Sequence, residues 1–314
     1  MNKNSTILIT GASGMVGLSL VDKMRAVGFS NLLVPSSQEL NLTRQKIVEE
    51  YFCGNKIDYV FHLAGKVGGI PANMASPAEF LFNNLLMAAN ITEAARKSNI
   101  KKLLFLGSSC IYPRECPQPM KEEYLLAGKP EPTNEGYALA KITGLKLCEF
   151  YNKQYGTNFI SLMPCNLYGP NDHFGRESSH VMPALIARFV TARNEGRESL
   201  EVWGTGKPKR EFLYVDDLSD AMLFFMNKYN ANDLPAFVNI GSGADISIKD
   251  LTFLIKDNVG YKGEIKFDPS KPDGMPIKLL DTEKGTRLGW KAHTSLKEGI
   301  KKTISWYLSS GQKK

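Results

Sequence analysis

Short apolar runs alternate with longer amphipathic stretches through the first half of the chain. The runs are Ile7-Leu-Ile, Asn31-Leu-Leu-Val, Asp58-Tyr-Val-Phe-His-Leu-Ala, Leu103-Leu-Phe-Leu and Asn158-Phe-Ile-Ser-Leu-Met. Runs this short and this apolar suit strands buried on both faces, as in a parallel sheet. Between them, Leu18 to Val27, Ser76 to Ser98 and Gly136 to Tyr155 read as helices, with Pro77 where a first helical turn tolerates it. This alternation predicts an α/β fold built on a doubly wound parallel sheet.

From about residue 166 the alternation becomes irregular. The expected organisation is therefore a nucleotide-binding domain over 1–165 and a smaller, mainly substrate-binding C-terminal domain over 166–314, from which part of the segment near 206–232 could return to the first. Pro164 to Pro170 is expected to leave its strand as a turn, and His180 to Arg188 to begin a helix. Val215-Asp-Asp-Leu should start another helix capped by Asp216 or Asp217. Lys271 to Lys278 reads as a polar turn, and the tail helix Ser295 to Leu308 as structural. The four prolines between Glu115 and Asn134 predict an ordered loop over the active site.

Composition narrows the class. A chain of 314 residues, 43% of them hydrophobic, can bury a large core. No apolar run approaches the roughly 20 residues of a membrane span, and no signal-peptide core precedes Ile7, so no membrane partner and a cytoplasmic location are expected. Five cysteines (Cys53, Cys110, Cys116, Cys148 and Cys165) without a C-x-x-C pair argue against a disulfide framework and against a zinc site, so no metal is expected. The net charge of +7 comes from scattered basic residues and no recognition motif accompanies it, which sets nucleic acid aside in favour of solvated surface and an anionic small ligand.

Candidate chemistry begins at the first strand. Ile7-Leu-Ile-Thr runs into Gly11, Ala12, Ser13, Gly14, Met15, Val16 and Gly17, a strand, glycine turn and helix in the order of the Rossmann dinucleotide fingerprint. Gly11 permits the tight turn, Gly14 lets the backbone approach a pyrophosphate, and Gly17 lets the helix pack on the strand. The second strand ends at Pro35-Ser-Ser37 without the carboxylate usual for NAD and without an arginine for NADP. Ser36 and backbone donors are left to hold a 2′-phosphate, so NADP is the expected cofactor, and Glu39 leaves NAD open. His62, within an apolar strand, is read as a satisfied core histidine.

Tyr137 and Lys141 are four residues apart on a helix, so the ammonium sits beside the phenol and can lower its pKa towards the working pH. Tyr137 is then a general acid. Ser108, 29 residues upstream, leaves the carboxyl end of its strand, where open α/β sheets bind ligands. The three together make a carbonyl-reducing site. Trp203-Gly-Thr-Gly-Lys-Pro-Lys-Arg210, basic, glycine-containing and carrying an aromatic, suits a diphosphate with a sugar or base.

On these marks the chain resembles the extended short-chain dehydrogenase/reductases, and within them the GDP-L-fucose synthase group. The narrower likeness is carried by Lys66-Val-Gly-Gly-Ile, Gly107-Ser-Ser-Cys-Ile-Tyr-Pro113, Pro132-Thr-Asn-Glu, Asn166-Leu-Tyr-Gly-Pro170, His180-Val-Met-Pro, Arg210-Glu-Phe-Leu and Lys271-Pro-Asp-Gly. It implies reduction by NADPH of the carbon-4 ketone of a GDP-linked 4-keto-6-deoxy sugar, preceded by epimerisation at carbons 3 and 5 with Cys110 and His180 as base and acid. It extends cofactor contacts to Asn41, Leu42, Leu63, Ala64, Leu106, Gly107, Pro164, Asn166, Leu167 and His180. Substrate contacts are implied at Ser109, Asn166, Arg188, Trp203, Arg210, Asp273 and Lys278. A homodimer through the helices near 77–97 and 137–154 also follows from it. Members often carry arginine where this chain has Ile277, so a reductase without epimerase activity, acting on a related GDP-4-keto sugar such as a heptose, is the first alternative. A catalytically silent NADP-binding regulatory protein is the second. A 4,6-dehydratase would carry Asp-Glu where Cys110 and Ile111 stand, and is set low.

Overall fold

The structure is a computed structural model that describes residues 1–175, 180–271 and 273–309. Its first half alternates strand and helix: β1 (Ile7–Thr10), α1 (Met15–Ala26), β2 (Leu32–Leu33), α2 (Gln45–Gly54), β3 (Tyr59–His62), α3 (Ile70–Ala75), α4 (Pro77–Lys97), β4 (Lys102–Leu106), α5 (Glu135–Tyr155) and β5 (Phe159–Pro164). The remainder is β6 (Asn166–Tyr168), α6 (Val181–Asn194), β7 (Ser199–Trp203), β8 (Lys209–Tyr214), α7 (Val215–Lys228), β9 (Val238–Ile240), β10 (Asp245–Ser247), α8 (Ile248–Val259), β11 (Glu264–Asp268), β12 (Ile277–Lys278), α9 (Glu283–Arg287) and α10 (Leu296–Ser309).

Six strands form one sheet in the order β2-β1-β3-β4-β5-β9, each pair parallel. This is the doubly wound α/β class expected from the apolar runs. Every residue of β1, β4 and β5 is buried, as strands covered on both faces must be. Helices cover the sheet in two groups, α1 against α7 and α2 against α4, which lies along α5. The reversal of strand order between β1 and β3 opens a crevice at the carboxyl ends of the strands, where β1, β3 and β4 deliver the glycine turn, Leu63 and Ser108.

A second, smaller core gathers Tyr168, Leu185, Phe189, Phe212, Leu251 and Ile300 from β6, α6, β8, α8 and α10. Its sheet centres on β8, flanked by antiparallel β10 and parallel β12, with β6 also pairing to β8. Two local expectations are corrected here. Asn166 to Tyr168 is a strand rather than a turn, and the polar stretch ending at Lys278 closes in β12, because both pair with β8. The expected cap of α7 is also corrected. The N-cap is Tyr214, with no side-chain cap bond. Asp216 instead accepts from Ser19 Oγ (2.8 Å), and Asp217 accepts from the His293 and Thr294 amides (3.2 and 2.9 Å).

The proline-rich stretch is pinned to β9 and to the segment that follows β12. Met120 N–H donates to Leu279 O and Asp281 N–H to Met120 O. Buried Asn239, on β9, accepts from Tyr112 Oη at 2.6 Å and donates to Met120 O at 3.0 Å and Asp281 O at 3.1 Å.

Candidate active site

At the end of β1 the backbone turns at Gly11 with a φ of 73°, in the left-handed region that favours glycine. A Cβ there would sit 2.7 Å from the Ala64 nitrogen and 3.0 Å from the Leu63 carbonyl carbon. One at Gly17 would lie 2.5 Å from Ala12 Cα and closer still to the Gly11 carbonyl oxygen. Gly14 differs, since a Cβ would meet only Gly11 O, at 3.6 Å. The turn is packed shut behind and open in front. Gly14 is the N-cap of α1, no side chain caps that helix, and its first turn holds no acid, so its positive end is free for an anion. Ala12 is buried and Ser13 exposed at the tip, with Met15 and Val16 half-buried behind it. The residues present therefore fit a dinucleotide diphosphate.

Beyond β2, Ser36 N–H donates to Glu39 Oε2 at 2.7 Å and Glu39 N–H to Ser36 Oγ at 3.3 Å. The backbone and hydroxyl bonds from Ser36 hold the Glu39 carboxyl below its ordinary pKa. The carboxylate that left NAD open is thus turned into its own loop. Asn41 Oδ1 accepts from Thr43 N–H at 3.0 Å, and Leu42 is buried with its carbonyl taken by Asn90. His62 is buried, its Nδ1 2.9 Å from Thr10 Oγ1, and burial followed by the Lys141 charge pushes its pKa down to about 3, so the ring is neutral.

The reacting groups meet where β4 ends. Ser108 N-caps a single 3-10 turn over Ser109–Ile111, its Oγ accepting from Cys110 N–H at 3.4 Å. Tyr137, on the first turn of α5, lays its ring edge-on to Phe80 (centroids 6.4 Å apart) and hydrogen-bonds Ser108. Lys141 Nζ lies one turn on, buried, and donates to Leu106 O at 2.8 Å. The expected electrostatics reverse in this state. Burial, then the neighbouring Cys110, raise the Tyr137 pKa against the Ser108 hydrogen bond, and burial lowers Lys141 to about 8. The lysine's bond to the Leu106 carbonyl and its 5.8 Å distance from the phenol ring explain why its charge does not dominate. Gly107 packs on Met163, and Pro164 ends the neighbouring β5.

Cys110, buried, has its thiol pKa raised by burial, opposed first by Lys278 and then by Ser108 and Lys141. His180 is the N-cap of α6 and is exposed, its pKa lowered by desolvation and by the same Lys278. Lys278, on β12, thus acts by its charge on both Cys110 and His180. Burial lowers its own pKa, with Cys110 opposing and Arg210 reinforcing.

The remaining residues expected to touch substrate form a rim. Arg210 and Lys278 are register partners on β8 and β12, so they share a face. Arg210 Nη1 donates to Met275 O at 2.6 Å, and Asp273 accepts from Thr205 N–H at 2.9 Å and Thr205 Oγ1 at 2.6 Å. Trp203 stands out at 66% exposure with Lys271 Nζ 5.6 Å above its ring, and Arg188 reaches the Glu201 carbonyl in the middle of that strand. Ser109 is buried within its turn, while Asn166 and Leu167 are half-buried on β6.

Two positions that the sequence did not single out hold this arrangement. Asn84 of α4 accepts from Lys66 N–H (2.8 Å) and donates to Lys66 O (3.0 Å), fixing the loop after β3. That loop passes Lys141: a Cβ at Gly65 would lie 3.7 Å from its Nζ. Glu211, in β8, is wholly buried. In the sequence it is marked only as part of the Arg210-Glu-Phe-Leu motif, with no role of its own.

Among the described residues, no group of three His, Cys, Asp or Glu side chains is placed to hold a metal ion, and no helix is long and apolar enough to cross a membrane. The profile of the NAD dependent epimerase/dehydratase family matches residues 7–241. The chain belongs to that family. Within it, the chain is similar to GDP-L-fucose synthase 1 of Arabidopsis thaliana, 48% identical across 98% of this chain and 95% of that one. It is 45% identical to GDP-L-fucose synthase of Escherichia coli K12, over 97% of each. The GDP-mannoheptose C4 reductase MlghC from Campylobacter jejuni, solved with NADP bound, superposes with a TM-score of 0.91 at 39% identity, over 98% of this chain and 99% of that one. The resemblance read from the motifs is borne out at family level by these relatives.

Proposed function

We propose that this family member uses NADPH to reduce the carbon-4 ketone of a GDP-linked 4-keto-6-deoxy sugar, after exchanging the protons on carbons 3 and 5. The observation that carries the reading is the gathering of Ser108, Tyr137, Lys141 and Cys110 at the end of β4, with the Lys278 charge acting on Cys110 and on His180. The glycine turn and the open end of α1 hold the cofactor diphosphate, and Ser36 with its neighbouring backbone takes the 2′-phosphate. When bound, NADPH supplies a hydride to the ketone carbon. Ser108 and Tyr137 hold the ketone oxygen, which acidifies the flanking carbons because enolate charge is answered where it forms. Cys110 and His180 then remove and return protons there, and Tyr137 finally gives its own proton to the carbon-4 oxygen. Arg188, Trp203, Arg210, Asp273 and Lys278 bind the GDP and sugar. The smaller core is read as the substrate domain, and a cytoplasmic site of action with free thiols is part of the same reading.

The test is NMR in deuterated water with GDP-4-keto-6-deoxy-mannose and NADPH. NADPH consumption with deuterium at both carbons is expected, and Cys110→Ser should slow exchange by about 100-fold or more. A second reading, a 4-keto reductase of a heptose without epimerisation, is favoured by the likeness to the C4 reductase and by Ile277, exposed beside Lys278. Reduction without exchange would select it. Cofactor binding with no turnover of either sugar class would leave a regulatory protein.

A second copy of the chain is the proposed partner. Phe82 on α4 and Leu139 and Phe150 on α5 are exposed on two helices that pack side by side, an apolar face of the kind that subunits cover. Light scattering is expected to give twice 34.9 kDa for the wild type and one chain for Phe82→Glu/Phe150→Glu. A monomeric wild type would remove the dimer.

A further inference from the structure

Glu211 occupies the middle of β8 with no exposed surface. A carboxylate so far from water needs donors for its charge. Here they are backbone amides. Gly243 N–H donates to Oε1 at 2.8 Å and Leu280 N–H to Oε2 at 2.9 Å, and Ser242 contributes further hydrogen bonds. The main-chain oxygen of Glu211 accepts from Asn166 Nδ2 at 2.8 Å. The fit leaves no space at the turn: a Cβ on Gly241 would lie 2.8 Å from Glu211 Cδ and closer to its Oε1. The carboxylate thus ties β8 to the 241–243 turn and to the segment just past Lys278, while the bond to Asn166 of β6 belongs to the main chain.

The tied segments carry the groups that line the cleft. Arg210 precedes Glu211 on β8 and is register partner to Lys278, which stands two residues before the anchored Leu280 amide. Successive strand residues face opposite ways, so Glu211 points away from the side that Arg210 occupies. Both its oxygens are engaged in these bonds.

We propose that Glu211 is a positioning residue of the nucleotide-sugar half of the cleft, its carboxylate setting where Arg210 and Lys278 stand while exchanging no proton with substrate. The inference rests on reading this half as a GDP-sugar site. A carboxylate suits the task because it presents an acceptor to each of two converging amides. The isosteric amide would turn an NH₂ towards one of them and lose that anchor.

The test compares wild type and Glu211→Gln as full chains. GDP binding and NADPH binding are followed by calorimetry, steady-state reduction by NADPH absorbance, and backbone amide exchange by mass spectrometry. The variant is expected to lose about tenfold in GDP affinity and to raise KM similarly, the scale of one buried hydrogen bond. NADPH affinity should hold within about twofold and kcat within about threefold, since binding shared by ground and transition states is what weakens. Exchange should quicken at 241–243 and 277–281 and not at 7–20. Unchanged GDP affinity and KM would overturn the proposal, and so would equal loss of GDP and NADPH, which marks general loosening. A wild type that fails to bind GDP would defeat the functional reading, and the exchange pattern would still decide whether Glu211 fixes these segments. Should Glu211→Gln not fold, Glu211→Asp carries the same comparison, its shortened carboxylate reaching one amide and giving an intermediate GDP affinity.

Discussion

Tyr137→Phe is expected to slow ketone reduction by about a thousandfold while leaving NADPH affinity within about threefold. That loss corresponds to about 4 kcal/mol of transition-state stabilisation, within reach of a removed general acid. The substitution deletes one oxygen and keeps the ring that packs edge-on to Phe80, so α5 retains its seat. Lys141 keeps its bond to Leu106 O, which does not involve the phenol. The pH dependence of the wild type follows from the same geometry. Lys141, lowered by burial to about 8, is cationic below that value and neutral above it. Its charge favours the phenolate left when Tyr137 gives up its proton, so reduction should fall as pH rises through about 8. Tyr137 itself, pushed up by burial, stays protonated through that range and does not set the alkaline limb. The residual activity of the variant should lack this limb. Stopped-flow reduction and fluorescence titration of NADPH decide the matter. A variant retaining a tenth of wild-type activity would remove Tyr137 from proton transfer.

The half of the site that lies on the large sheet is legible in the sequence because its determinants are local. Glycines at 11, 14 and 17, the spacing of Tyr137 and Lys141, and five short apolar runs each specify their element within a few residues. The other half depends on pairing across long separations. β6 and β12 are three and two residues long, too short for any period, and become strands only because each pairs with β8. The sixth strand of the large sheet, β9, is equally short and follows a loop. Asp217 looks like a helix cap from its neighbours and is instead claimed by amides 76 and 77 residues away. Lys278 ends a polar turn in the chain and is placed near substrate only by the family resemblance. The action of its charge on Cys110 and His180 follows only once the small sheet sets β12 beside β8. Glu211 carries no local signal for its role, since the amides that answer its charge belong to Gly243 and Leu280. Its burial could not be read before those partners were known.

Gly17→Ala is expected to cost both fold stability and cofactor binding, whereas Gly14→Ala should cost binding alone. At Gly17 the new methyl would lie 2.5 Å from Ala12 Cα and closer to the Gly11 carbonyl oxygen, and both are backbone atoms that no rotamer change can move aside. Such overpacking costs about 1–3 kcal/mol, more where relief requires shifting a helix. The gain in helix propensity from glycine to alanine, about 1 kcal/mol, does not offset it. Helix α1 must slide from β1 and carry its N-terminus away from the turn, so NADPH affinity should fall at least about 100-fold, with a melting temperature several degrees lower. At Gly14 the φ of −82° suits any residue and the nearest atom to a new Cβ is 3.6 Å away, so the melting temperature should stay within about 1 °C. That methyl would nevertheless project from the open side of the turn, where a pyrophosphate must approach the backbone, and should weaken NADPH about tenfold or more. Differential scanning fluorimetry and NADPH titration of the two variants separate the roles. A Gly17→Ala protein that melts with the wild type and binds NADPH normally would mean that α1 is not seated against the turn by that glycine.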